Sequence, residues 1–279
     1  MQILRDVSSI KNCVMQFRKD GYKIGLVPTM GALHDGHLSL VNVIKKEVDK
    51  VILSIFVNPL QFSFGEDYES YPRNDIQDCE KCKKVAVDVV YLPVSDVMYP
   101  SGFSSTVSVG PLSRELCGAS RKNYFDGIMT VLLKLVMQTE TEYMILGEKD
   151  YQMLFLARKL FQDLNISTKI LKGNTVRDDN GLALSSRHQY LNAEEKHKAH
   201  YIYHALVDIA HRLKNEPYEL HNIIEDSKQS FKREGFILDY LQVRDNNSLE
   251  EINFFRKPAR IFVAAYLGRC RLIDNLLVV

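Results

Sequence analysis

"KIGLVPTMGALHDGH" (residues 23–37) runs from an unbroken apolar stretch through a Pro-Thr-Met-Gly turn into two histidines three apart. An apolar run of this length bounded by turn residues suits a strand buried on both faces, and such strands belong to parallel sheets. The residues from 37 onward take up helical spacing, so the turn joins a strand to a helix. Similar runs recur at "VILSIFV" (51–57), "VDVVYLP" (87–93), "EYMILG" (142–147) and "STKILK" (167–172), with helical spacing at 37–49, 75–85, 127–140 and 150–163. Alternation of this kind predicts an α/β architecture, a doubly wound, Rossmann-like parallel sheet with helices on both faces. Ligands of such sheets sit at the carboxyl ends of the strands, where the quoted turn lies.

Beyond residue 175 the texture changes. Two long amphipathic segments (193–214 and 217–234) precede three strand-like runs, "ILDYLQVRD", "ARIFVAAYLG" and "CRLIDNLLV". The boundary divides a larger domain, 1–175, from a smaller C-terminal α+β domain, 176–279, that is expected to cover the site. A net charge of +1, with 46% apolar residues, leaves no electrostatic footprint for nucleic acid or an anionic membrane. No run approaches the roughly 18 apolar residues of a membrane span. The first residues lack an export signal. Five cysteines with one unmatched Cys79/Cys82 pair point to reduced thiols in a cytoplasmic protein rather than to zinc.

Four stretches at predicted strand ends carry polar chemistry. In the first, Gly31 and Gly36 admit a close ligand, the amides opening the helix suit phosphate, and His34 and His37 share a helix face. In the second, Asn58 and Gln61 offer uncharged amides that can orient a polar substrate, although Asn58 also suits a structural Asn-Pro turn. In the third, Lys149 stands as a point charge beside Gly147, Glu148 and Asp150, with a helix cap as the plainer role for Asp150. In the fourth, the "DDNG" turn leads to Ser185, Ser186 and Arg187 at another helix start. The histidines His197, His200, His204 and His211 read as one exposed or interfacial helix face.

Taken in order, "PTMGALHDGH", "SIFVNPLQF", "YPR", "PLSRELCGASR", "GEKDYQ", "TVR…GLALSSR" and "RLIDN" resemble the pantoate–β-alanine ligase family of the nucleotidyltransferase superfamily, through nearly the whole chain. The resemblance implies an AMP-forming C–N ligase of pantothenate (coenzyme A precursor) biosynthesis. Its substrates are pantoate and β-alanine, its cofactors ATP and Mg²⁺, its intermediate pantoyl adenylate, and its assembly a homodimer, with "VILSIFV" a contact by analogy. The nucleotide would lie along Met30, Gly31, Ala32, Leu33, His34, Asp35, Gly36 and His37. It would also touch Gly147, Glu148, Lys149 and Asp150, then Val176, Leu184, Ser185, Ser186 and Arg187. His34, His37, Lys149 and Arg187 would be catalytic, with His37 the family's proton donor. Gln61, Asn58, Met153 and Val131 would meet the substrates, and Asp78 is the carboxylate offered to magnesium.

Two positions depart from the family pattern: Met153 stands where a pantoate-binding glutamine is usual, and Tyr124 where a histidine is usual. Rival readings are a nucleotidyltransferase that leaves the nucleotide on its product, and a nucleotide-binding protein without turnover.

Overall fold

The computed structural model describes residues 1–279 as two compact units, 1–175 and 176–279. In the first, β1 (Gln2–Leu4), α1 (Val7–Lys19), β2 (Ile24–Thr29), α2 (Asp35–Ile44), β3 (Lys50–Ile55), α3 (Asp75–Lys84) and β4 (Val89–Tyr91) come first. The short α4 (Ser95–Met98) and α5 (Cys117–Ser120) lead to α6 (Tyr124–Thr139), β5 (Tyr143–Gly147), α7 (Tyr151–Asp163) and β6 (Lys169–Gly173). The strands form one parallel sheet in the order β1-β4-β3-β2-β5-β6. The chain builds outward from β2 through β3 to β4, then returns to place β5 on the other side of β2. The strand order therefore reverses between β2 and β5, and a doubly wound sheet opens its ligand crevice at that point.

Each central strand is covered on both faces. Val27, Val51, Leu53 and Val90 pack with Leu40, Val41 and Ile44 of α2 and with Cys79 and Cys82 of α3. β3 lies inside the sheet, hydrogen-bonded to β2 and β4, with Val51 to Phe56 at most 7% exposed. It has no surface to give to a second copy, which corrects the expectation that "VILSIFV" forms a dimer contact. Cys79 and Cys82 are buried free thiols; burial, then Cys79 and Asp78 as neighbours, pushes Cys82 up to about 12. Such thiols are inert.

The second unit has α8 (Ala193–Ala199), α9 (Tyr201–Asn215), α10 (Leu220–Arg233) and an antiparallel sheet of β7 (Ile237–Asp245), β8 (Ala259–Leu267) and β9 (Cys270–Val278) in that order. Ile202, Leu206, Ile209, Ile223 and Phe231 from the helices meet Val243, Ile261, Val263 and Leu272 from the strands. His200, at the α8–α9 junction, has its Nε2 3.0 Å from Asp178 Oδ2, so this histidine fastens the 178–182 turn. Burial would raise the Asp178 carboxyl, but the His200 bond and the amides of Leu182 and Asn180 hold it below the usual range. No helix is long and apolar enough to cross a membrane.

Candidate active site

The turn after β2 passes through two left-handed residues, Gly31 at φ +82° and Ala32 at φ +48°, before α2 begins. Almost all of its amides are already used. Gly31 N–H donates to Thr29 Oγ1 at 3.2 Å, Ala32 N–H to Asp78 Oδ2 at 2.8 Å and Leu33 N–H to Asp78 Oδ1 at 2.8 Å. His34 N–H donates to His37 Nδ1 at 3.3 Å and Gly36 N–H to His34 Nδ1 at 3.1 Å, a reciprocal capping box. His37 N–H goes to the His34 carbonyl at 2.8 Å. The expectation of free phosphate-binding amides here is corrected, because the protein's own groups satisfy them.

The same bonds fix the histidines chemically. An Nδ1 that accepts carries no proton, so each neutral ring keeps its proton on Nε2 as a donor. The two rings lie 4.0 Å apart with a 32° tilt. Burial, then the positive charges of Lys149 and Lys81, lowers His37 to about 4. At neutral pH His37 is an uncharged hydrogen-bond donor, and Lys149, in the turn of 3-10 helix Glu148–Asp150 after β5, supplies the nearby charge. The chain thus brings together His34, His37 and Lys149 across the β2/β5 switch point. Asp150 makes no side-chain cap bond to α7, so the capping role does not apply.

Asn58 is saturated. Its amide donates to Gly127 O at 3.0 Å and Gln61 Oε1 at 3.1 Å, and its oxygen accepts from Leu60 N–H at 3.2 Å and Tyr99 O–H at 2.7 Å. At 1% exposure it has no capacity left for a substrate, which removes it from the substrate-binding set. What it does instead is orient Gln61, whose Nε2 meets the Met30 sulfur at 2.9 Å. Arg121, not singled out in the sequence, ties the same segment: it donates to the Gln61 carbonyl at 3.2 Å and pairs with Glu66 at 2.6 Å. Its guanidinium lies 3.5 Å from the Tyr124 ring centroid, which gives Tyr124 a stacking role.

Gly127 makes this packing possible. A Cβ there would stand 2.2 Å from the Leu60 carbonyl oxygen and 2.7 Å from Gln61 N. Gly127→Ala should therefore cost about 1–3 kcal/mol of stability and displace Gln61, read as a lower thermal midpoint with a raised KM for whichever substrate Gln61 holds. On α7, Gln152 is buried and holds the Leu112 and Glu115 carbonyls at 2.9 and 2.7 Å. It cannot stand in for a glutamine at Met153, which is half-buried on the next face, while Val131 is buried in α6.

Asp78 does not fit magnesium. Both of its oxygens hold backbone amides at 1% exposure, and no three His, Cys, Asp or Glu residues cluster to hold a metal ion. In the second unit, Ser185 Oγ accepts from Arg187 N–H at 3.3 Å and caps the 3-10 helix Ser186–Tyr190, with Ser186 buried. Val176 and Leu184 flank the 177–183 bridge, where Leu184 N–H donates to the Val176 carbonyl at 2.9 Å.

Comparison with known proteins agrees over the whole chain. A family model described as Pantoate-beta-alanine ligase matches residues 2–277. The pantothenate synthetase of Anaplasma marginale (strain St. Maries) is 60% identical over 99% of both chains. The pantoate–β-alanine ligase of Schizosaccharomyces pombe is 41% identical over 99% of this chain and 98% of its own. A crystal structure of the Thermus thermophilus pantothenate synthetase superposes with a TM-score of 0.94 at 35% identity, covering 100% of this chain and 99% of that one. The Francisella tularensis ligase, solved with β-γ ATP and β-alanine, gives 0.82 at 35% identity over 99% and 97%. With strand order, histidine turn and full-length similarity all in accord, the chain belongs to the pantoate–β-alanine ligase family.

Proposed function

We propose that this chain condenses (R)-pantoate with β-alanine through a pantoyl adenylate, releasing pyrophosphate and then AMP. The observation that carries the reading is the pair of imidazoles whose Nδ1 atoms accept backbone amides, which leaves Nε2–H to donate, with Lys149 acting on His37 at the sheet's switch point. A carboxylate is already ionised at pH 7, so its attack on the α-phosphorus needs no base. It needs preorganised donors where negative charge gathers as nucleophile and phosphate approach in line. His34 and His37 serve as those donors and Lys149 as the fixed charge. In the second unit, Ser185, Ser186 and Arg187 bind the nucleotide's phosphates.

Gln61 holds pantoate and then β-alanine, with Met153 and Val131 as further substrate-binding positions. ATP is taken as its magnesium complex, the ion held mainly by phosphates and water, because Asp78 is already spent on the Ala32 and Leu33 amides. In the protein without nucleotide, burial and the charges of Lys149 and Lys81 lower His37 to about 4, so the ring meets ATP as a neutral hydrogen-bond donor. The assembly expected from the family is a cytoplasmic homodimer, which sedimentation of the purified protein tests.

The test is to mix protein, ATP-Mg²⁺ and pantoate, with and without β-alanine, and follow pyrophosphate and AMP separately. The ligase reading expects pantoate-dependent exchange of pyrophosphate into ATP without β-alanine, and AMP release with it. A transferase releases no AMP, and a binding protein shows no exchange.

Two further outcomes follow. The adenylation rate should show no acid limb near 6.5; any limb belonging to His37 should fall near 4, and a midpoint near 6.5 in the pH profile of kcat/KM would contradict the assignment. Met153→Gln should lower KM for pantoate about tenfold by restoring a hydrogen bond that a thioether cannot donate, checked by the pantoate dependence of exchange.

A further inference from the structure

The turn carrying His34 and His37 is held from outside by one face of α3. Asp78 accepts the Ala32 and Leu33 amides, both at 2.8 Å, across 46 and 45 residues of sequence. Lys81 sends its ammonium to the Leu33 carbonyl at 2.6 Å. Residues three apart on a helix share a face, so the carboxylate and ammonium grip the N–H and C=O sides of one short turn. The backbone there needs gripping. Ala32 is left-handed without being glycine, and such a residue persists only where its surroundings over-determine it. At Gly31, a side chain's Cβ would lie 3.0 Å from Asp78 Oδ2, so the carboxylate fills the concavity that successive amides make.

Resting on the ligase reading above, we propose that Asp78 and Lys81 are positioning residues for adenylation: together they lock the Gly31–Leu33 turn so that His34 and His37 keep their Nε2–H donors aimed and uncharged. Neither residue touches substrate in this proposal. Asp78 supplies the anion that the turn's amides would otherwise seek from a phosphate, and this keeps the triphosphate for the histidines and Lys149. Lys81 adds a positive charge on the α3 side of His37. The other ionisable groups facing that ring are His34 at the N-terminal cap of α2 and Lys149 after β5.

The experiment compares wild type, Lys81→Met, Lys81→Arg and Asp78→Asn. It measures kcat and KM for ATP in pantoate-dependent pyrophosphate exchange, and the His37 tautomer and titration midpoint by long-range ¹H–¹⁵N NMR. Lys81→Met is expected to lower kcat about tenfold or more while KM for ATP changes less than about twofold, because misaiming costs the transition state more than binding. Its His37 midpoint should rise from about 4 by a small step, because burial and Lys149 remain, and Lys81→Arg should restore most of both. Asp78→Asn presents an amide N–H to a backbone N–H and should blur the single Nε2–H tautomer. If Asp78→Asn does not fold, the half-buried Lys81 still decides the matter. A Lys81→Met protein with lower thermal stability but wild-type kcat, tautomer and midpoint would overturn the proposal. Absence of exchange in wild type would instead sink the ligase reading, leaving the NMR comparison to judge the turn.

Discussion

His37→Ala is expected to slow pantoyl adenylate formation about 10²- to 10³-fold, with a much smaller change in KM for ATP. The magnitude is that of removing one preorganised donor from a site where phosphoryl charge develops. The loss should be larger than for a surface histidine because two things go at once. The ring donates through Nε2–H, and its Nδ1 accepts the His34 amide that helps set the other imidazole. His37→Gln, which keeps a neutral donor, should recover part of the rate; a charged His37→Lys should not. Stability supplies a second readout. The unfolded chain takes up this proton near 6.5 and the folded protein near 4, so between those values the unfolded state holds more protons. The residue's contribution is complete above 6.5 and is lost as pH falls toward 4. His37→Gln should flatten that part of the pH dependence of the thermal midpoint.

Arg177→Ala is expected to destabilise the second unit by about 3–5 kcal/mol, the usual result of stranding a buried charge. Asp274 has a side chain only 2% exposed, and both its oxygens take Arg177 N–H donors, one at 2.9 Å. The guanidinium also reaches the Gly181 carbonyl at 3.0 Å and lies 4.1 Å from the Tyr203 ring centroid. Without it, the carboxylate keeps the adjacent Asn275 amide at 2.8 Å and little else to balance its charge. The thermal midpoint should fall by about 10 °C or more at this chain size. Arg177→Lys should recover only part, since an ammonium cannot reproduce a two-pronged pair. A midpoint within about 2 °C of wild type would show the pair to be worth no more than a surface ion pair. Arg177 also bridges Ala183, two residues before Ser185, so its loss should weaken ATP binding as well.

The sheet was legible because five of its six strands lie in apolar runs punctuated by turn residues, and the histidine turn because it follows one of them. The β1–α1 pair escaped: Gln2–Leu4 is too short to show a period. What could not be read was who satisfies whom. "NPLQ" shows two amide side chains, but Asn58 spends four hydrogen bonds internally while Gln61 is the one it orients, and that depends on Gly127 and Tyr99, distant in sequence. The turn at 31–33 looks like a phosphate cradle until Asp78 is seen inside it. Lys81 sits among other lysines in "CEKCKK" and nothing local distinguishes it. Composition and periodicity report on burial, which is local in a helix or strand, whereas hydrogen-bond partners are settled by chain topology.

In the reaction proposed above, pantoate's carboxylate oxygen attacks the α-phosphorus under imidazole donors. Pantoate labelled with ¹⁸O in the carboxylate, turned over to completion with ATP and β-alanine, tests it directly by mass spectrometry of the nucleotide. One ¹⁸O is expected in the phosphate of each AMP. Unlabelled AMP, or label appearing in inorganic phosphate with ADP as the product, would contradict it.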